Sequence, residues 1–315
     1  MSSPRSDKGN IDIDMLNMVK KLKSKYIFPY SEGHIKDRSS RFKAEYRAEV
    51  EKDLEFVKTI TDDYLLISRS QIPDVNIRQK EIIIVKKPML EYFDAYIKMP
   101  KTESAKADRM EFEDFTVDMS AVATDHPLYE YLKENGGRVT PSGLNDFVNG
   151  LLDYIFDDIN VYKRLRSYIK TLDVEKILNQ PMECMARLQA DRLLYYMAPM
   201  IEYKDDDEKA LAGKWKGICE RWFSMNGKPC FEELIKQGYT LLDLHPLFND
   251  KMKKGKNTLD NIVRDGSHCY YASNAKYFVS EDDRTRKKAD FMYRAFGVNT
   301  KVMSESEFLN CVSTV

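Results

Sequence analysis

Paired cysteines, long apolar runs, internal repeats and a large net charge are all missing from this chain, and each absence removes a class of protein. The five cysteines, Cys184, Cys219, Cys230, Cys269 and Cys311, are odd in number, scattered and never spaced as Cys-x-x-Cys. That argues against a disulfide framework and a cysteine zinc site, and it suits a reducing, cytoplasmic setting. No apolar stretch approaches the roughly 20 residues of a membrane-spanning helix, so no membrane association is expected. The opening MSSPRSDKGN carries no apolar core of the kind a secretory signal needs. No self-similarity at a period of about 20–50 residues is visible. Lys and Arg number 50 and Asp and Glu 51. The chain as a whole therefore exerts no field that would gather nucleic acid, and any such surface must be local.

What is present is globular. With 315 residues, 43% of them hydrophobic, the chain can build one large or two ordinary domains. Ile13, Leu16, Met18, Val19 and Leu22 fall roughly on one helical face. Ile27 to Tyr30 reads as a short strand, Ser31-Glu32-Gly33-His34 as a helix start, and Phe42 to Ile60 as a charged amphipathic helix. Tyr64 to Ile67 and the β-branched Ile82 to Val85 read as strands. The following MLEYFDAYI suits a strand or a short helix. The strand-rich residues 64–120 are expected to form a sheet of their own. From His126 onward the pattern is mainly helical, with segments opening near Leu128 and Ser142 and others over Met182–Met200 and Leu211–Phe223. The acidic run Asp205-Asp206-Asp207 between them reads as a solvated loop.

The most informative stretch runs from Leu259 to Phe308. Asp265 opens an apolar-periodic run, Tyr277-Phe278-Val279 is a short buried strand, and Ser280-Glu281-Asp282-Asp283 is an acidic turn at its end. A basic helix from Arg284 to Phe296 stops at Gly297, and Thr300 to Met303 is a second strand. This alternation favours a parallel sheet, whose ligands gather outside the carboxyl ends of the strands. Asp265 and Asp282 converging there would make a hard-oxygen site for magnesium or manganese. From spacing alone the same residues better suit a solvated turn that caps a helix, since acidic turns before helices are common. Just upstream, Lys254 and Lys256 lie in a basic loop, suited either to a phosphate backbone or to plain solvent.

These motifs resemble the C-terminal end of PIN-like nuclease domains, on Asp265, His268, Phe278-Val279-Ser280-Glu281-Asp282, Arg284, Arg286, Lys287, Thr300-Lys301-Val302 and Glu307-Phe308. Near the start, Tyr30, Ser31, Glu32, His34, Ile35 and Asp37 resemble a subgroup with a Tyr-Ser-Glu-x-His-Ile-x-Asp helix start. One part of the pattern is lacking: no buried strand ending in Asp precedes the first helix, and Asp7, Asp12 and Asp14 do not supply it. The resemblance implies an α/β fold, PIN-like and three-layered α/β/α with a mainly parallel sheet. It would be built from residues 11–70 and 240–315, with 71–239 a mostly helical insertion. It further implies a Mg²⁺- or Mn²⁺-dependent nuclease, an endoribonuclease of toxin or defence type. Glu32, Asp265 and Asp282 would be its catalytic ligands and Asp283 an additional one. His34, His268, Arg284, Arg286, Lys254 and Lys256 would contact RNA, and the insertion would position substrate or receive a regulatory protein. The alternatives are a degenerate PIN-like module that binds RNA or protein without cutting, and an adaptor whose helical insertion does the work.

Overall fold

In the computed structural model, residues 13–39, 42–68, 82–99, 115–139, 154, 158–179, 186–223, 228–251 and 259–313 are described. The chain is α/β, dominated by helix, with short strands in small sheets. It divides into two compact units, one made of residues 1–101 and 264–315 and the other of 102–263.

The first unit carries α1 (Ile13–Leu22), β1 (Tyr30–Ser31), α2 (Glu32–Ser39), α3 (Arg47–Thr61), β2 (Tyr64–Ser68), β3 (Ile82–Lys86) and α4 (Met89–Lys98). From the other end of the chain come α5 (Leu259–Ala272, its last turns in this unit), β4 (Tyr277–Val279), α6 (Asp283–Phe296), β5 (Lys301–Met303) and α7 (Glu305–Ser313). β1 pairs in parallel with β2, Tyr30 opposite Leu65. β2 pairs antiparallel with β3, Leu66 opposite Ile84. β4 and β5 form a separate parallel pair with Phe278 opposite Val302.

Two apolar clusters hold the unit. One joins Tyr30, Ile35, Leu54, Leu65, Met89 and Phe93 around the β1–β2–β3 sheet. The other brings Val19, Leu22, Phe28 and Ile60 from the first segment onto Phe308 and Val312 from the last. Each fully buried side chain of this size contributes about 1.5–3 kcal/mol, so contacts between the chain's two ends are a main source of the unit's stability. Between α3 and β2 the chain turns through Asp62 and Asp63, both with positive φ (48° and 60°). Asp tolerates that region because its short polar side chain bonds locally. Asp62 binds Lys23 Nζ at 2.5 Å, and Asp63 Oδ1 accepts the Met89 N–H at 3.1 Å at the start of α4.

Two expectations change. Residues 64–98 do not form a separate sheet: β2 and β3 join β1. Of the two readings open for MLEYFDAYI, the structure has the helix α4, whose Met89 and Phe93 pack into the same core. Asp265 does not open its helix. α5 begins at Leu259, and buried Leu259 and Ile262 continue its apolar face backwards, which leaves Asp265 in mid-helix.

In the second unit, helices span Ile159–Thr171, Val174–Asn179, Ala186–Met197, Glu208–Phe223 and Phe231–Leu242, and Phe115–Thr116 pairs with Arg138–Val139. Its interior holds a polar network. Fully buried Asp243 accepts hydrogen bonds from the Tyr162 hydroxyl (2.8 Å), Arg166 Nη1 (2.9 Å) and the Asp250 N–H (2.9 Å). The helix expected to open near Ser142 lies outside the described residues. No helix among the described residues is long and apolar enough to cross a membrane.

Candidate functional site

The start of α2 is built like a capping box with histidine in the role of the usual Glu. Ser31 precedes the first helical residue, and the His34 Nδ1 atom reaches back to accept the Ser31 N–H at 3.1 Å. The Ser31 hydroxyl lies 3.1 Å from the same nitrogen. Nδ1 being an acceptor, the ring proton of neutral His34 sits on Nε2. Burial, then positive neighbours including His268 and Arg38, hold His34 well below its ordinary pKa of 6.5. Glu32, in the first turn, where the helix dipole favours a negative charge, lies 3.2 Å from Lys36 Nζ and accepts a hydrogen bond from the Tyr271 hydroxyl at 3.2 Å.

α5 presents Arg264, His268 and Tyr271 at i, i+4 and i+7, one face of a helix. Arg264 Nε and His268 Nε2 each lie 2.9 Å from one oxygen of Asp37. Burial pushes the Asp37 carboxyl up, but the hydrogen bond to His268 and the charges of His268, Arg264 and Arg38 outweigh it and leave Asp37 below its ordinary value. The two imidazoles meet edge to face, their centroids 4.8 Å apart. This close approach requires Gly33: a Cβ there would stand 2.8 Å from His268 Cε1 and 2.9 Å from its Nδ1.

A second group gathers at the start of α6. Asp282 caps that helix, its Oδ1 accepting the N–H groups of Arg284 (2.8 Å) and Thr285 (3.0 Å). The Thr285 hydroxyl points to Asp265 Oδ2 at 3.5 Å, so one threonine bridges carboxylates from two elements. Asp283 is exposed and pairs with Arg286, whose Nη1 also donates to the Ser280 carbonyl at 2.6 Å. Arg284 is half-buried beside its capping Asp282.

The expected residues therefore fall into two groups along α5. Glu32, His34 and His268 belong with Asp37, Arg264 and Tyr271; Asp265, Asp282, Asp283 and Arg286 belong with Thr285. Among the described residues, no three His, Cys, Asp or Glu side chains lie together as a metal-holding group. Lys254 and Lys256 lie outside the described residues. Asp37, Arg264 and Tyr271 were not singled out as site residues from the sequence. The signal was there in the i, i+4, i+7 spacing of polar side chains through a helix whose other face is apolar. Burial raises the thiol of Cys269 to about 12, which keeps it protonated at neutral pH.

Beside the histidines lies a cavity of about 140 Å³. β1 and the residues before it form one wall and β4 another, and Leu66, Tyr271, Ala272 and Ala275 lie between them, with Ser31, His34 and His268 also on its surface. Compared with known proteins, the chain matches no protein-family model, no curated protein and no solved structure.

Proposed function

We propose that the first unit is a PIN-like, three-layer α/β/α phosphodiester hydrolase whose substrate is RNA. The observation that carries this reading is the bridge at Thr285, which joins Asp265 in the middle of α5 to Asp282 at the start of α6. The carboxylates suit a hard divalent cation, and the helix N-terminus beside them suits the phosphate that such a cation would bind. Mg²⁺ is commonly held by only one or two carboxylates, with waters and substrate phosphate completing its shell, so this donor pair fits Mg²⁺ or Mn²⁺. When bound, the cation would neutralise phosphate charge and acidify a water. Asp265 and Asp282 would hold it, with Asp283 at the rim. Arg284 and Arg286, on the same turn, would hold the RNA backbone. Glu32 lies in the neighbouring group, tied to Lys36 and through Tyr271 to α5, and is not among the residues that would hold the cation. His34 would offer its Nε2–H to a phosphate oxygen, while Asp37 fixes the orientation of His268.

A second reading is a PIN-like module that binds RNA or protein without cleaving. It is favoured by the engagement of Asp282 as a cap and of Glu32 with Lys36 and Tyr271. Labelled single-stranded RNA incubated with the full chain and Mn²⁺ separates the two. Cleavage lost in EDTA and in Asp282→Asn, which keeps a capping oxygen, supports hydrolysis. RNA retained but uncut by folded protein favours the binding module.

A further inference from the structure

We infer that the cavity between Phe28 and Phe278 is a base pocket that takes a single six-membered ring, the pyrimidine of a nucleotide, beside the bond that is cleaved. The inference rests on the hydrolase reading for its substrate and on the cavity itself for its selectivity. Its volume is about 140 Å³. An apolar cavity of about 150 Å³ accommodates one benzene-sized ring, whereas drug-sized ligands need about 300 Å³ or more. The cavity opens to solvent on one side, so a pyrimidine ring seats wholly inside it, whereas the second ring of a purine is left toward the mouth with less contact.

The lining fits the same ligand. Phe28, Phe278 and Tyr271 supply aromatic surface against which a base packs irrespective of its edge pattern. The space exists because Ala272 and Ala275 present only methyl groups where α5 ends. Ser31 and His268 add polar groups to the lining, which suits the donor and acceptor edge of a base. Lys276 supplies the charge for the attached phosphate, its Nζ resting 5.6 Å from the Tyr26 ring centroid and 5.2 Å from that of Tyr277 on the cavity wall. Tyr271 belongs at once to the pocket and, through its hydroxyl, to Glu32. A base seated here lies against Tyr271, whose hydroxyl reaches Glu32.

Calorimetric titration of the full chain with UMP, CMP, AMP, GMP and ribose 5-phosphate tests this. UMP and CMP are expected to bind tighter than the purine nucleotides and ribose 5-phosphate by about tenfold or more, the discrimination a shaped apolar pocket gives. Ala272→Leu, and independently Ala275→Leu should the first not fold, should remove that preference, and Asp282→Asn should keep it. In wild-type cleavage products the cuts should lie next to pyrimidines, and in the filled variants they should not. Equal binding of purines and pyrimidines, binding of none, or a preference that survives both filled variants overturns the pocket. RNA cut without base preference overturns the pocket and leaves the hydrolase standing. Pyrimidine binding that the filled variants abolish, with no cleavage of RNA, supports the pocket and removes the hydrolase.

Discussion

Replacing Gly33 by Ala should destabilise the first unit, and the cost should vanish once His268 is gone. The added Cβ would meet the imidazole at 2.8–3.2 Å, on Cε1, Nδ1 and Nε2. The ring cannot swing away freely, because Nε2 is tied to Asp37 at 2.9 Å and the opposite side meets His34. Forcing a packed group aside costs about 1–3 kcal/mol. Against this, Ala gains up to about 1 kcal/mol over Gly within a helix. The expected net loss is about 1 kcal/mol. In the His268→Ala background the clash disappears and only the helix preference remains, so Gly33→Ala should stabilise by about 0.5–1 kcal/mol. The coupling between the two sites is then about 1–3 kcal/mol with a reversal of sign. Urea unfolding followed by hydrogen exchange of the α2 and α5 amides, on wild type, both single variants and the double variant, reads this cycle. Additive effects would show that the ring does not occupy the space over Gly33.

Three more perturbations address other parts of the molecule. His34 is held below its ordinary pKa of 6.5, so as pH falls below 6.5 the unfolded chain takes up a proton that the folded chain refuses. Thermal stability should therefore drop on acidification through that range, with Asp37 adding its own loss only below 3.8; a His34→Gln variant with the same acid slope would refute the assignment. Asp282→Ala should cost about 1 kcal/mol through the lost cap, and Asp282→Asn only a few tenths, so a melt that falls equally for both would contradict the capping geometry. In the second unit, Asp243→Ala leaves the buried Arg166 guanidinium without its carboxylate and should cost about 3–5 kcal/mol in urea unfolding; a loss under about 1 kcal/mol would mean that water replaces the partner.

The parts legible in the sequence are those governed by local chemistry. α6 announced itself through a capping acid, Asp282, and a glycine stop, Gly297, which adopts φ of 64°. The strands at Tyr277 and Thr300 were marked by β-branched and aromatic runs, and their parallel pairing by the helix between them. What escaped depends on neighbours distant in sequence. The sequence left strand and helix both open for α4; Met89 and Phe93 fill a core made by Tyr30 and Leu54, which no window of ten residues contains. Lys288 is one of several basic residues on α6, and the sequence does not set it apart. It lies on the buried stripe with Thr285, Ala289 and Met292 and is 1% exposed. Asp37 was visible only as part of a helix start. Its pairing with Arg264 and His268 spans more than 200 residues of chain and follows from the fold alone.

The division of the first unit between the two ends of the chain sets a timetable for synthesis. Val19, Leu22, Phe28 and Ile60 emerge from the ribosome early, yet Phe308 and Val312, the side chains that cover them, come last. Roughly 200 residues are made between Lys101 and Phe308, which at about 5–20 residues per second takes on the order of 10–40 s. Through that interval the nascent chain carries an uncovered apolar surface beside a short, unfinished sheet. Slowing translation, or depleting the chaperones that shield such surfaces, should deplete this protein sooner than one whose core closes in sequence order.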